Sequence, residues 1–188
     1  MPILRMNARR SCLFLACALA AGVAFAGRLP VVNEAVLPTM WSPAPGVPHY
    51  VPGYPDKVAD KSADVCITIG YSVGADGGTS GFSELNSWTS AHPDGLFVGE
   101  ESDPYTQIAA AVVSRRKFVP VGKAHAVFTS ATFAFDGSNP LDEQAILAHC
   151  RIADLEDFVV QLQAQSRKRG DLDTEALRRR LEIEQGRR

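Results

Sequence analysis

The chain has 188 residues, 19 Lys and Arg against 21 Asp and Glu, four Cys and a net charge of −2. That length holds one domain of ordinary size plus extensions. The mild acidity excludes a nucleic-acid footprint, which needs clustered Lys and Arg.

The N-terminus reads as a leader. Arg5, Arg9 and Arg10 form a basic region, Cys12 to Phe25 is almost wholly apolar, and Ala24-Phe25-Ala26 is a small-x-small cleavage pattern. Together they predict a secretory signal peptide over residues 1–26. The apolar run falls short of the about 20 residues of a membrane span; the alternative is an uncleaved inner-membrane anchor. Cleavage would remove Cys12 and Cys17 and leave Cys66 and Cys150. In an exported chain, and so in the oxidising periplasm, such a pair is a disulfide candidate. Two buried free thiols are the other reading.

Residues 27–51 form a Pro-rich arm. Pro30, Pro38, Pro43, Pro45 and Pro48 lie in it, and Pro52 and Pro55 follow. Proline fixes φ and removes a donor, so the arm is expected to be extended or irregular. Its aromatics, Trp41 and Tyr50, with Tyr54 just beyond, are suited to docking its end on a folded surface.

The core spans 52–137. Val65, Ile67, Ile69, Tyr71 and Val73 alternate with Cys66, Thr68, Gly70 and Ser72, which predicts a strand with one apolar face. Asp76-Gly77 predicts a hairpin turn, and Gly81 to Trp88 a weaker partner strand. Asp103-Pro104 predicts a helix start, with Asp103 as cap. Tyr105, Ile108, Ala109, Val112 and Val113 then share a face, and Pro120 is expected to end the helix. Val127, Thr129, Ala131, Phe133 and Phe135 alternate as a last strand. The fold class is α+β, a small antiparallel sheet in β-β-α-β order with a helical extension over 138–188. In that extension Asn139-Pro140 predicts a helix start. Leu141, Ala145, Ala148, Ile152, Leu155, Val159 and Leu162 step by four and three, a heptad seam. It suits either one amphipathic helix lying on its own domain or a homodimer through 141–162. A charged helix over about 171–185 follows.

Catalytic chemistry has one motif. Gly70-Tyr71-Ser72-Val73-Gly74 matches G-x-S-x-G after a strand, the setting of a nucleophile elbow, which would make Ser72 the nucleophile of a small serine hydrolase. The elbow must lead into a helix, and Ala75 to Gly81 is turn sequence instead. Both glycines are better read as strand end and hairpin. No metal-ligand spacing occurs: His149 and Cys150 are adjacent, and C-x-x-C and H-x-x-x-H are absent. No Gly-rich loop opens a helix, so no cofactor is expected.

The order of these motifs resembles the TonB C-terminal domain family of periplasmic energy transducers. The resemblance rests on Pro52-Gly53-Tyr54-Pro55, the strand Val65 to Val73 with its Asp76-Gly77 turn, the small residues Ala109-Ala110-Ala111, the close Arg116-Lys117-Phe118-Val119-Pro120, and the Phe-rich strand Val127 to Phe135. It implies docking of an extended segment of an outer-membrane receptor by strand addition to a sheet edge. Pro52, Tyr54 and Pro55 would lie near that groove, and the last strand, with Val127, Thr129, Ala131 and Phe133, would offer the edge. Family transducers keep a membrane helix and a long spacer. A cleaved leader and a short arm would instead make this a non-enzymatic envelope-accessory protein. A Cys66–Cys150 bond would clamp the extension on the sheet, although a seam facing the sheet would turn Cys150 outward.

Overall fold

The computed structural model describes residues 29–58 and 61–168. The leader over 1–26 and the terminal helix over 171–185 lie outside the described residues. The fold is mixed α+β. In chain order it comprises β1 (Trp41–Pro43), β2 (Val65–Val73), β3 (Thr79–Thr89), α1 (Asp103–Ser114), β4 (Phe118–Pro120), β5 (Val127–Phe135) and α2 (Glu143–Cys150). A third helix covers 155–168.

β2 is the middle of a three-stranded antiparallel sheet ordered β3-β2-β5. It pairs with β5 along its whole length, from Val65↔Phe135 to Val73↔Val127. With β3 the register slips twice, after Thr68 and after Gly70. The hairpin between β2 and β3 closes through Gly74 N–H to Gly78 C=O at 2.8 Å. Gly77 has φ +74, and a side chain there would strike the Phe118 carbonyl, so the turn needs glycine for both backbone and space.

One face of the sheet carries the main core. Val65, Ile67, Ile69, Tyr71 and Val73 meet Tyr105, Ala109, Val112 and Val113 of α1, with Ala131, Phe133 and Phe135 of β5. The helix begins as the sequence suggests, one residue off: Ser102 is the N-cap and Pro104 sits in the first turn. The hydroxyls of Ser102, Thr106 and Ser87 all donate to the Glu84 carboxylate, which ties this helix end to β3.

The other face is covered as well. Cys66 and Thr68, expected on a polar face, are fully buried under α2. Cys66 is bonded to Cys150, with Cα atoms 5.9 Å apart. The Thr68 hydroxyl donates to the Cys150 carbonyl at 2.8 Å, and Trp88 stacks on His149 at 3.8 Å. Asp64, only 4% exposed, accepts from the N–H groups of Gly137 and Leu141 at 2.8 and 3.0 Å. It therefore clips the β5–α2 connection beside the start of β2.

Three expectations need correction. Pro120 does not end α1, which stops at Ser114; Pro120 is the last residue of β4. Asn139-Pro140 does not start the extension's helix; Asp142 does, accepting from the N–H groups of Gln144 and Ala145. The heptad seam is also interrupted. Arg151 is extended, and Asp154 caps the next helix by accepting from Asp157 N–H at 3.0 Å. The side chains turned inward are Ile146, Cys150 and Leu155, whereas Leu141, Ala145, Ala148 and Leu162 are exposed. A seam over 141–162 has no continuous helix to run along.

The Pro-rich arm is extended in part and integral to the core. Val32, Leu37 and Trp41 belong to the same hydrophobic cluster as β2 and α1. Trp41–Pro43 pairs antiparallel with Phe118–Pro120, a two-stranded ladder absent from the sequence reading. Proline suits such short edge strands, where a missing N–H leaves no ladder bond unmade. Among the described residues no helix is long and apolar enough to cross a membrane.

Candidate functional site

β5 is an edge strand, and its two parities do different things. In an antiparallel pair, alternate residues aim N–H and C=O toward the neighbour and the rest aim them away. Phe128 N–H donates to Pro30 C=O and Phe128 C=O accepts from Val32 N–H, each at 2.8 Å. The outward positions of β5 are thus Phe128, Ser130, Thr132 and Ala134. The inward positions are Val127, Thr129, Ala131 and Phe133, whose side chains also face the main core.

This parity corrects the sequence expectation. Val127, Thr129, Ala131 and Phe133 are buried to 6% exposure or less, and their backbone groups point into the sheet. Val127, Thr129 and Ala131 cannot meet a strand added at the edge; Phe133 also lines the groove beside it. Period-two patterning identifies the face a side chain occupies; the edge chemistry belongs to the opposite parity. Of the other expected residues, Pro52 lines the site described below, while Pro55 is buried. Tyr54 is a packing residue. Its hydroxyl donates to Ala63 C=O at 3.0 Å and accepts from the Tyr105 hydroxyl at 2.8 Å.

The edge borders a groove. A cavity of about 420 Å³ lies between Glu34, Val47, Pro48, Tyr50, Arg116 and Phe118. A second, of about 220 Å³, runs on past Arg116 to Thr132, Phe133 and Ala134, with Glu143 and Leu147 on its far wall. His49, Tyr50 and Arg116 line both. The Arg116 guanidinium stands 5.1 Å over the Phe133 ring, and Arg115 lies 5.3 Å over Tyr50, so the cationic wall is held by stacking on aromatic faces.

Two titratable groups are perturbed here. Burial raises the Glu34 carboxyl above its ordinary value; the Thr132 hydrogen bonds and the charges of Arg116 and Arg151 oppose the shift. Its oxygens accept from Thr132 N–H at 3.2 Å and from the Thr132 hydroxyl at 3.1 Å. Burial likewise raises the Tyr71 phenol, against the charge and hydrogen bond of Arg116. Glu34, Tyr50, Arg116, Thr132 and Ala134 were not singled out by sequence. Arg116 and Tyr50 were visible only as a helix end and an arm aromatic, and Glu34 carried no local signal.

Ala134 is where the edge is open. Thr132 spends its outward N–H on Glu34, whereas neither Ser130 nor Ala134 makes a backbone hydrogen bond outside the β2–β5 ladder among the described residues, and of the two Ala134 lines the groove. The arrangement can hold an extended backbone against β5, with a side chain in the adjoining cavity. Ser72 is not among its lining residues. That residue pairs with Phe128 and Ser80 inside the sheet, and its strand enters a hairpin rather than a helix. Among the described residues no cluster of three or more His, Cys, Asp or Glu could hold a metal. Fold and site define an α+β protein with a groove beside one strand edge. No family model matches the chain, nor does any curated protein or solved structure.

Proposed function

We propose that this chain is a non-enzymatic periplasmic binding protein that captures extended segments of an outer-membrane transport protein by strand addition at β5. The observation that carries the proposal is the outward edge at Ala134, open onto a groove with apolar and cationic walls. Main-chain pairing supplies affinity in this mode, and alternate side chains in adjoining pockets supply specificity. The resemblance to TonB C-terminal domains supports the partner class. The buried Cys66–Cys150 bond fits an oxidising compartment. An accessory role, rather than a transducer's, follows from reading residues 1–26 as a cleaved leader.

The test uses a photo-crosslinking amino acid in place of Leu147, on the groove wall, in chain expressed in its native envelope. We expect adducts with outer-membrane proteins, lost when Ala134→Pro deletes the outward N–H. Proline at an edge position with its N–H facing away removes no ladder bond, so the variant keeps its near-UV circular dichroism. Adducts unaffected by Ala134→Pro would refute strand addition at this edge.

A further inference from the structure

The outward edge of β5 is longer than the groove, and its other end is already taken by the chain itself. Val31 bridges Phe128 in parallel, between the two hydrogen bonds that join Pro30 and Val32 to Phe128. A true strand would continue with backbone groups opposite Ser130 and Thr132. The arm does not. Asn33 C=O turns back to accept from Val36 and Leu37 N–H at 2.9 and 3.1 Å, and the Glu34 side chain alone reaches Thr132. A carboxylate thus stands where a partner's carbonyl would be.

The occupancy is local. Leu37 and Trp41, which fix the arm in the core, lie beyond the turn at Asn33. Within 29–34 only Val32 is buried, and Leu29 and Pro30 are exposed. The segment can therefore leave β5 at the expense of one core side chain, Val32, while Leu37 and Trp41 stay in place. On its outer side it touches the third helix: Asn33 Oδ1 accepts from Leu155 N–H at 2.8 Å, and Leu29, Pro30 and Val31 face Glu156 and Val160 across a small cleft.

We infer that Pro30–Glu34 is an internal occupant of the binding edge, and that an extended peptide partner reaches Phe128, Ser130 and Thr132 by displacing it. The inference rests on the strand-capture reading and divides that site in two. A short segment uses the open end at Ala134. A longer one, covering the four outward positions from Phe128 to Ala134, has to compete with the arm. The displacing backbone needs a carbonyl for each of the Phe128 and Thr132 N–H groups and an N–H for the Phe128 carbonyl.

The experiment uses the full chain and two variants. Val32→Pro deletes the N–H given to Phe128, and Glu34→Ala removes the acceptor on Thr132. The probe is a fluorescent synthetic peptide with the sequence of residues 29–36, followed by anisotropy. Amide hydrogen exchange at Phe128 and Thr132 is read alongside. We expect binding at least tenfold tighter to each variant than to the parent. Glu34→Ala frees the Thr132 amide, whose exchange should speed up; Val32→Pro frees the Phe128 carbonyl and loosens the adjoining bond from Phe128 N–H to Pro30 C=O, so exchange at Phe128 should speed up, and both should slow again when peptide is added. Equal binding to parent and variants, or no binding with exchange unchanged, would overturn the inference. If Val32→Pro does not fold, Glu34→Ala carries the comparison, because it leaves the backbone intact. Failure here with crosslinking still lost in Ala134→Pro would leave strand capture standing. The opposite pair of results would leave internal occupancy without the partner.

Discussion

Burial raises the Glu34 carboxyl above the usual carboxylate range while the same carboxyl serves as the acceptor for Thr132. A carboxyl whose folded value lies above its unfolded value contributes most below the unfolded value, and that contribution is lost as pH rises through the folded one. Stability should therefore fall as pH climbs out of the ordinary carboxylate range. Glu34→Gln keeps a carbonyl oxygen for Thr132 and carries no charge. We expect the variant to lack this contribution, so that the parent loses stability relative to it as pH rises through the window, in urea denaturation at stepped pH; a parent that gains on the variant as pH rises would contradict this. Thr129 offers a simpler case. It is fully buried, and its hydroxyl has no hydrogen-bond partner among the described residues. An unmet buried hydroxyl costs about 1–3 kcal/mol. Thr129→Val keeps the shape and removes the polar atom, so thermal unfolding should shift upward by roughly 1 kcal/mol of stability. A clear loss would mean that the hydroxyl is satisfied in solution.

At the scale of elements, α2 owes its place to a small set of attachments: the disulfide, the Thr68 hydroxyl on the Cys150 carbonyl, and the Asp64 clip before it. Closing a loop across a sequence separation of 84 stabilises by about 4 kcal/mol in the chain-entropy account. The double variant Cys66→Ala, Cys150→Ala should lose about 2–4 kcal/mol in urea denaturation. Trp88 emission should change as its stack on His149 loosens. The α1 layer should persist, because its core lies on the opposite face; an unchanged midpoint would show that the bond does not hold α2. The cysteine pair was visible from parity and compartment, but the orientation of Cys150 was not. The four-and-three spacing from Leu141 to Leu162 is present in the sequence, yet spacing says nothing about whether the backbone stays helical. Asp142 and Asp154 were the better signals. Each has a side-chain oxygen that satisfies a helix's first free N–H groups, and each marks where a new helix begins.

Across the whole molecule, the sequence was most legible where periodicity and turn chemistry agreed. β2, β5, the hairpin at Gly77 and the buried face of α1 follow from alternation, from glycine at positive φ, and from spacings of three and four. The arm was legible in conformation and not in destination. Proline density predicts extended backbone, but that Trp41–Pro43 would pair with Phe118–Pro120 depends on a contact across most of the domain. The candidate site was the least legible part. It joins the arm, the end of α1, the outward parity of β5 and α2, and no window of sequence contains more than one of these.

The attachment of Asn33 to Leu155 has a kinetic meaning. The two residues are 122 positions apart, and Glu34 waits 98 positions for Thr132. A chain made from its N-terminus exposes the arm long before either partner exists. Contacts this distant in sequence close late and slowly, since loop entropy is lost before they form. The arm is therefore expected among the last segments to settle, leaving the Phe128 end of β5 unpaired until it does.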